Sequence, residues 1–405
     1  MKAKIILFLF RLLLLFEILW GAHAWFTWEI TSSRMLHYFV LIALALIAFV
    51  YKNKMRIRLC VSTNLMFAFC CYALAVLLNN RLSIPSIPGI ILKIFPIWVA
   101  LSDKINLSKN LQFVAKGIAF ILIPGIILHI LLLINNLPAL IIQKGDINSY
   151  FFFNYIFLLK PVEGLSYASI RFQSIFLEPG YLGTMLSFLL FAIKFDFSKK
   201  YNYILLIGLL LSLSLAGYIT TLIAYIIFLF IEKKSFKTFI KTAILLVIIY
   251  SCSLSYNDGN NYINITIIER LKVNDDKGIA GNNRTGEATD FYYDQAIENG
   301  SIILGLGTER VNQINGGAAD SAGFDENIRG AGYKVYFVTY GIFSAFLFFL
   351  FYYYLGKSIC KRNLKARLGF LFLIILTFLQ AAYPESTSWI YPYILGLLNY
   401  NEKVV

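Results

Sequence analysis

Paired metal-binding cysteines, zinc-type histidine clusters and phosphate-cradling glycine loops are all missing from this chain. Its five cysteines, Cys60, Cys70, Cys71, Cys252 and Cys360, are scattered through apolar stretches with neither ligand spacing nor a disulfide framework. The three histidines, His23, His37 and His129, fall near apolar spans, where a lone histidine reads first as a hydrogen-bonded core residue. No Walker lysine follows a glycine loop, and the Gly305-Leu-Gly307 and Gly316-Gly317 pairs read as turns. Neither a metal nor a cofactor is expected. Charge is scarce too, at 14% of residues, and no internal repeat or low-complexity tract divides the sequence.

Apolar residues fill the space that is left. They make up 59% of 405 residues, and the mean hydropathy of +0.70 lies far above the soluble range. The fold expected is an all-α polytopic integral membrane protein. Apolar windows fall near 5–25, 35–51, 60–78, 87–101, 113–134, 173–193, 203–215, 218–231, 236–256, 332–355, 368–383 and 388–399, about twelve transmembrane crossings. Ala22-His23-Ala24 imitates a signal-peptidase site, but Arg11 and Glu17 interrupt the first run, so an uncleaved first span is expected.

Basic residues sort the connections. Segments 52–58, 102–110, 194–200, 232–241 and 357–367 carry 4, 2, 3, 4 and 5 Lys plus Arg, and the alternate connections carry few. The positive-inside rule then puts both termini in the cytoplasm. Residues 257–331 are the exception, with 12 acidic against 6 basic side chains, a net of −6 that leaves +20 for the rest of a chain totalling +14. Long loops escape the charge rule, so this stretch reads as a large outer loop. The expected organisation is an N-terminal transmembrane bundle (1–134), an outer segment (135–172) whose aromatic patch at 150–155 forms an interfacial helix, and a central transmembrane region (173–256). The outer loop (257–331) and C-terminal transmembrane helices (332–405) complete it.

Two places in the central region carry unusual chemistry. Arg171-Phe-Gln-Ser-Ile-Phe-Leu-Glu178-Pro179-Gly-Tyr181 puts an arginine and a carboxylate at the mouth of an apolar span, where charge is costly. Proline favours the first helical position, so Glu178 is the expected N-cap, and the span to Lys194 covers roughly 24 Å, short of a bilayer core of about 30 Å. Glu178 should therefore lie below the membrane surface. Residues 201–231 have basic residues at both ends and must return to the side they left, which predicts two short helices meeting around Ser212-Leu-Ser-Leu-Ala-Gly-Tyr218.

Arg171, Glu178, Arg284 (in Asn-Asn-Arg-Thr-Gly-Glu287) and Arg329 form a constellation on the outer side. Arginine suits phosphate because its planar donors bind bidentately and stay charged, and a carboxylate beside it is a candidate general base. Each also has a plain structural role open to it: Glu178 as a cap, Arg171 snorkelling to headgroups, Arg284 paired with Glu287. Lys93, mid-span between Pro88 and Pro96, either reaches a lipid phosphate or pairs with Glu17.

The Arg171…Glu178-Pro179 element, Ser-Leu-Ala-Gly-Tyr218, the large loop with Asn-Arg284-Thr-Gly, and Ile-Leu-Gly305-Leu-Gly307 together resemble the O-antigen polymerases (Wzy), within the O-antigen polymerase and ligase group. The resemblance covers roughly residues 165 to 345. It implies a GT-C-like glycosyltransferase of the bacterial inner membrane whose active site faces the periplasm. Such enzymes transfer a growing glycan from undecaprenyl pyrophosphate to the non-reducing end of a new lipid-linked repeat unit, without a metal. On this resemblance Glu178, Arg171 and Arg284 are the catalytic set, and Arg329, Lys93, Tyr181 and Tyr218 bind substrate. Its partners would be the undecaprenyl-diphosphate-linked oligosaccharide, a polysaccharide chain-length regulator and the lipid bilayer; no nucleic acid is expected. Alternatives are an O-antigen ligase, disfavoured because residues 257–331 hold no histidine, and a lipid-linked oligosaccharide flippase or other transporter, disfavoured by the lack of two related halves.

Overall fold

The computed structural model describes residues 3–103, 106–135, 137–145, 151–162, 170–232, 287–315, 332–361, 363–381 and 383–401, with isolated short pieces between 251 and 279 and at 328. The protein is mostly helical. Four of its helices are long and apolar enough to cross a membrane: α3 (Arg34–Lys54), α6 (Leu107–Ile134), α12 (Tyr333–Ile359) and α13 (Leu364–Ala381). Shorter apolar helices are α4 (Thr63–Asn79), α5 (Ser86–Ser102), α7 (Pro179–Ala192), α8 (Lys200–Leu211) and α9 (Leu215–Ile231). They pack with α1 (Ala3–Gly21) and α14 (Thr387–Asn401). Short α2 (Trp28–Ser32) follows α1, while α10 (Glu287–Glu298) and α11 (Thr308–Gln313) precede α12.

The helices divide by what they bury. Almost every side chain of α7 and α14 is buried, including Phe188, Phe191, Tyr391 and Tyr393, so these two run through the centre of the packed helices. By contrast α3 and α6 leave large apolar side chains exposed along one face, as helices bordering lipid do.

Small residues set the closest approaches. A Cβ built on Gly183 of α7 would lie 2.9 Å from Ser214 Cβ and 3.2 Å from Gly217 Cα, so the first turns of α7 and α9 pack backbone to backbone. At the other end of α7, a Cβ on Gly396 of α14 would lie 2.9 Å from Ala192 Cβ. Lys194, just past α7, pairs with Glu232 at 3.7 Å beyond α9.

Helix α12 is broken at Gly341 (φ 84°, ψ 160°). The loop around Gly305 (φ 73°) fills the break: Leu306 N donates to Val338 O at 2.7 Å and Gly307 N to Thr339 O at 2.8 Å. Gly305 and Gly341 touch through their backbones, since a Cβ on Gly305 would stand 2.6 Å from Gly341 N. Arg81 donates to the carbonyls of Gly305 and Leu306 from the opposite side. The Gly305-Leu-Gly307 turn of the sequence reading is thus a crossing of two backbones, at which the loop supplies the hydrogen bonds that the interrupted helix has lost.

The aromatic patch at 150–155 differs from expectation. Within it, Phe151–Asn154 is a strand, β2, in an antiparallel sheet between β1 (Ile141–Lys144) and β3 (Leu159–Pro161), with Phe153 opposite Ile142 and Lys160. Aromatic residues favour a pleated, half-buried surface, and the alternation there has period two: Phe152 and Asn154 are buried while Phe151 is exposed. Phe152 packs on Trp28 at 5.8 Å, so the patch is a strand with one face on the protein and not the expected helix. A further two-residue pairing, β4 (Val273–Asn274) with β5 (Gly278–Ile279), lies in the acidic stretch.

The Gly183 contact makes a prediction. Gly183→Ala should lower the stability of the detergent-purified protein by about 1–3 kcal/mol, the usual cost of overpacking. Gly180→Ala, one turn earlier where a Cβ meets nothing within 4 Å, should leave the thermal midpoint unchanged.

Candidate functional site

The site begins with a buried strap. Residues 172–177 precede α7 with every side chain buried and turn at Ser174 (φ 51°), where Phe176 N donates to Gln173 O at 3.0 Å. The strap is held on both sides: Trp25 N donates to Ile175 O at 2.9 Å, Leu177 N to His23 O at 3.2 Å, and Leu159 N to Ser174 O at 2.7 Å. It is therefore fixed between the exit of α1 and strand β3.

At the start of the strap lies the helical break foreseen near Ser212. Helix α8 ends at Leu211 and α9 begins at Leu215, leaving terminal carbonyls of α8 without intrahelical partners. Phe172 N donates to Leu211 O at 3.0 Å, Arg171 Nε to Ser212 O at 3.4 Å, and the Tyr218 hydroxyl to Leu210 O. Arg171 and Tyr218 lie within electrostatic reach of one another, so the structure brings these two residues together at the break. Ser214 caps α9 by accepting from Gly217 N at 3.2 Å. Arg171 is thus anchored on the C-terminal end of α8, where a cation complements the carbonyl dipoles, and not extended toward headgroups.

At the other end of the strap, Glu178 is the N-cap of α7 by backbone position (φ −142°, ψ 150°), with Pro179 at the first helical position. Its side chain makes no capping hydrogen bond and is exposed. At 14 residues α7 spans about 21 Å, shorter than a bilayer core of about 30 Å.

Tyr181, one turn into α7, faces two rings. Its centroid lies 4.9 Å from that of His23 and 6.0 Å from that of Tyr383, and His23 and Tyr383 are 6.1 Å apart. Behind these rings is a chain of ionisable groups. His23 and Lys93 both interact electrostatically with Glu385, and Lys93 interacts also with Glu17. Lys93 is therefore within electrostatic reach of two carboxylates, one from α1 and one from the turn before α14. Glu17 is 4% exposed, and Oε2 of Glu385 is sealed from solvent with no hydrogen-bond partner among the described residues.

Arg284 and Arg329 lie outside the described residues. Of the remaining sequence candidates, Arg171 and Tyr218 share the helical break, Tyr181 sits one turn beyond Glu178, and Lys93 belongs to the ionisable chain behind Tyr181. Sequence reasoning passed over His23, Tyr383 and Glu385. The signal for Glu385 was present: Tyr383-Pro384-Glu385 puts a carboxylate at the mouth of the last apolar span, the same costly placement that drew attention to Glu178. His23 gave no such signal, because its ring partners come from distant parts of the chain.

The arrangement brings aromatic faces (Tyr181, Tyr383), an exposed carboxylate (Glu178) and His23 with Glu385 to the start of α7. Aromatic rings with carboxylates suit a polar, ring-shaped ligand such as a sugar. Among the described residues no group of three or more His, Cys, Asp or Glu is placed to hold a metal ion. Comparison with known protein families, with curated proteins and with solved structures finds no match to this chain.

Burial pushes the Glu385 carboxyl up to about 7 from an ordinary 4.5, against the opposing pull of its backbone hydrogen bond, Lys93 and His23. A folded-state value above the unfolded one means that this group's stabilisation is complete below about pH 4.5 and is lost as pH rises toward 7. The thermal midpoint of the purified protein should accordingly fall between pH 5 and 8, and Glu385→Gln should remove that part of the slope.

Proposed function

We propose that this protein is an O-antigen polymerase-type glycosyltransferase of about twelve spans, GT-C-like, in the bacterial inner membrane with its site toward the periplasm. The observation that carries the reading is the strap from Arg171 to Glu178: a buried segment with an arginine at one end and, at the other, an exposed carboxylate at the start of a short, almost wholly buried helix.

In this reading an acceptor hydroxyl of a lipid-linked repeat unit attacks the anomeric carbon of the donor glycan. The new glycosidic bond forms as the bond to the pyrophosphate oxygen breaks, and undecaprenyl pyrophosphate leaves. Glu178 accepts the hydroxyl proton as general base. Arg284 and Arg329 bind the pyrophosphate or acidic sugars, with bidentate geometry suited to phosphate. Arg171 and Tyr218 hold the helical break that shapes the mouth, and Arg171 lends it positive charge. Tyr181 and Tyr383 offer faces to sugar rings. Lys93, balanced by Glu17 and Glu385, orders the floor beneath them. The donor and acceptor are undecaprenyl-diphosphate-linked oligosaccharides, and a chain-length regulator is the expected protein partner.

The test is the lipopolysaccharide gel of a deletion strain complemented with wild type or with Glu178→Ala, Arg171→Ala or Arg284→Ala. The expected result is core plus a single repeat in the deletion, a ladder with wild type, and a ladder reduced at least about 100-fold by Glu178→Ala, the scale of a lost general base. Bare core with accumulated long lipid-linked polymer would make the protein a ligase. Bare core with single unflipped repeats would make it a flippase.

A further inference from the structure

At the opposite end of the helices, where α1, α6 and α8 begin, a cavity of about 380 Å³ is lined by Arg11, Lys109, Gln112, Phe113, Lys116, Lys199 and Tyr201. Four of the seven are cations and none is acidic. Lys109 and Lys199 belong to the basic connections 102–110 and 194–200, which the positive-inside rule assigns to the cytoplasmic leaflet. This cluster lies on different helix ends from the strap and takes no part in the site above.

The cavity has a built wall. Arg11, eight residues into α1, is held by Nε donating to Asn110 Oδ1 at 2.9 Å and lies 6.0 Å from the centre of the Phe113 ring. Phe8 packs edge-on against Phe113 at 5.8 Å. The three helices are drawn together at glycines: a Cβ on Gly117 of α6 would lie 2.7 Å from Leu15 of α1, and one on Gly208 of α8 would lie 2.9 Å from Leu122 of α6. Two acids lie nearby: Asp103 is buried and accepts from Tyr51 Oη at 2.6 Å and Asn110 Nδ2 at 3.2 Å, while Asp196 is exposed, accepts from Ser198 N at 3.0 Å and is within electrostatic reach of Tyr201. Against these two carboxylates the lining itself supplies four cations and no acid.

The same helix says what fills it. Residues 109, 112, 113 and 116 follow the three- and four-residue spacing of one α6 face, and that face continues as Phe120 (73% exposed), Ile127 (54%) and Ile134 (72%). A cationic cavity at one end thus opens onto a continuous apolar track about as long as an acyl chain. Free phosphate would engage only the first feature, whereas a phospholipid engages both.

We infer that this cavity is a binding site for an anionic glycerophospholipid of the cytoplasmic leaflet, its phosphate held by Arg11, Lys109, Lys116 and Lys199 and its acyl chain laid along α6. Basic pockets between membrane helices recognise acidic headgroups in this way, at about a fivefold gain in affinity for each lysine.

Native mass spectrometry of the detergent-purified full chain, titrated with phosphatidylglycerol or phosphatidylcholine, tests the site. The wild type should bind phosphatidylglycerol preferentially. Lys109→Gln/Lys116→Gln should weaken that binding roughly thirtyfold, while Lys52→Gln/Lys54→Gln, in another basic connection, should leave it intact. Lys116→Gln alone, expected to lose about fivefold, serves if the double variant does not fold. Equal binding of the two lipids would overturn the inference. So would an equal loss in the Lys52/Lys54 variant, which would mean diffuse attraction, or complete displacement of the lipid by glycerol 1-phosphate, which would mean a soluble-phosphate site.

Discussion

The packing of α7 is the constraint on which the rest of the structure depends. A helix of 14 residues buried on all sides reaches only about two-thirds of the way through a bilayer core. Glycines let it sit so close: Gly183 against the first turn of α9, Gly396 of α14 against Ala192. Within a bilayer, helices gain little from hiding apolar surface from one another, so close van der Waals contact across small residues holds such a helix in place. Once α7 is fixed, the chain before it has to travel through the protein interior to reach it, and residues 172–177 do so as a fully buried strap with one turn at Ser174.

A non-helical segment in that position brings backbone groups that must be satisfied. The strap borrows partners from the exit of α1 and from β3, and lends others to the interrupted end of α8. Two defects, a broken helical hairpin and a non-helical strap, thereby satisfy each other. The crossing of Gly305 and Gly341 at α12 repeats the principle with different residues. In both places irregular backbone is tolerated because the surrounding protein supplies its hydrogen bonds.

The ionisable chain behind Tyr181 follows the same logic for side chains. A buried ammonium is costly, and Glu17 and Glu385 both lie within electrostatic reach of Lys93 and act in favour of its charged form. Their value to the protein lies in holding α1, α5 and the turn before α14 in one arrangement, with His23 and the two tyrosine rings facing the mouth of α7.

Sequence alone determined the membrane character, the positions of the apolar helices, the start of α7 at Pro179 and the break between α8 and α9. Each depends on local composition, on proline at a helix start or on charge at the ends of short apolar runs, and each is written in contiguous residues. It misjudged the Phe151–Asn154 patch because aromatic clusters suit both an interface and a sheet, and pairing with Ile141–Lys144 and Leu159–Pro161 decided between them. Only the tertiary structure decided that Lys93 stands with Glu17 and Glu385, that His23 and Tyr383 join Tyr181, and that Arg171 rests on Ser212. Those neighbours are separated by tens to hundreds of residues, and no local pattern encodes a contact made by packing distant helices together.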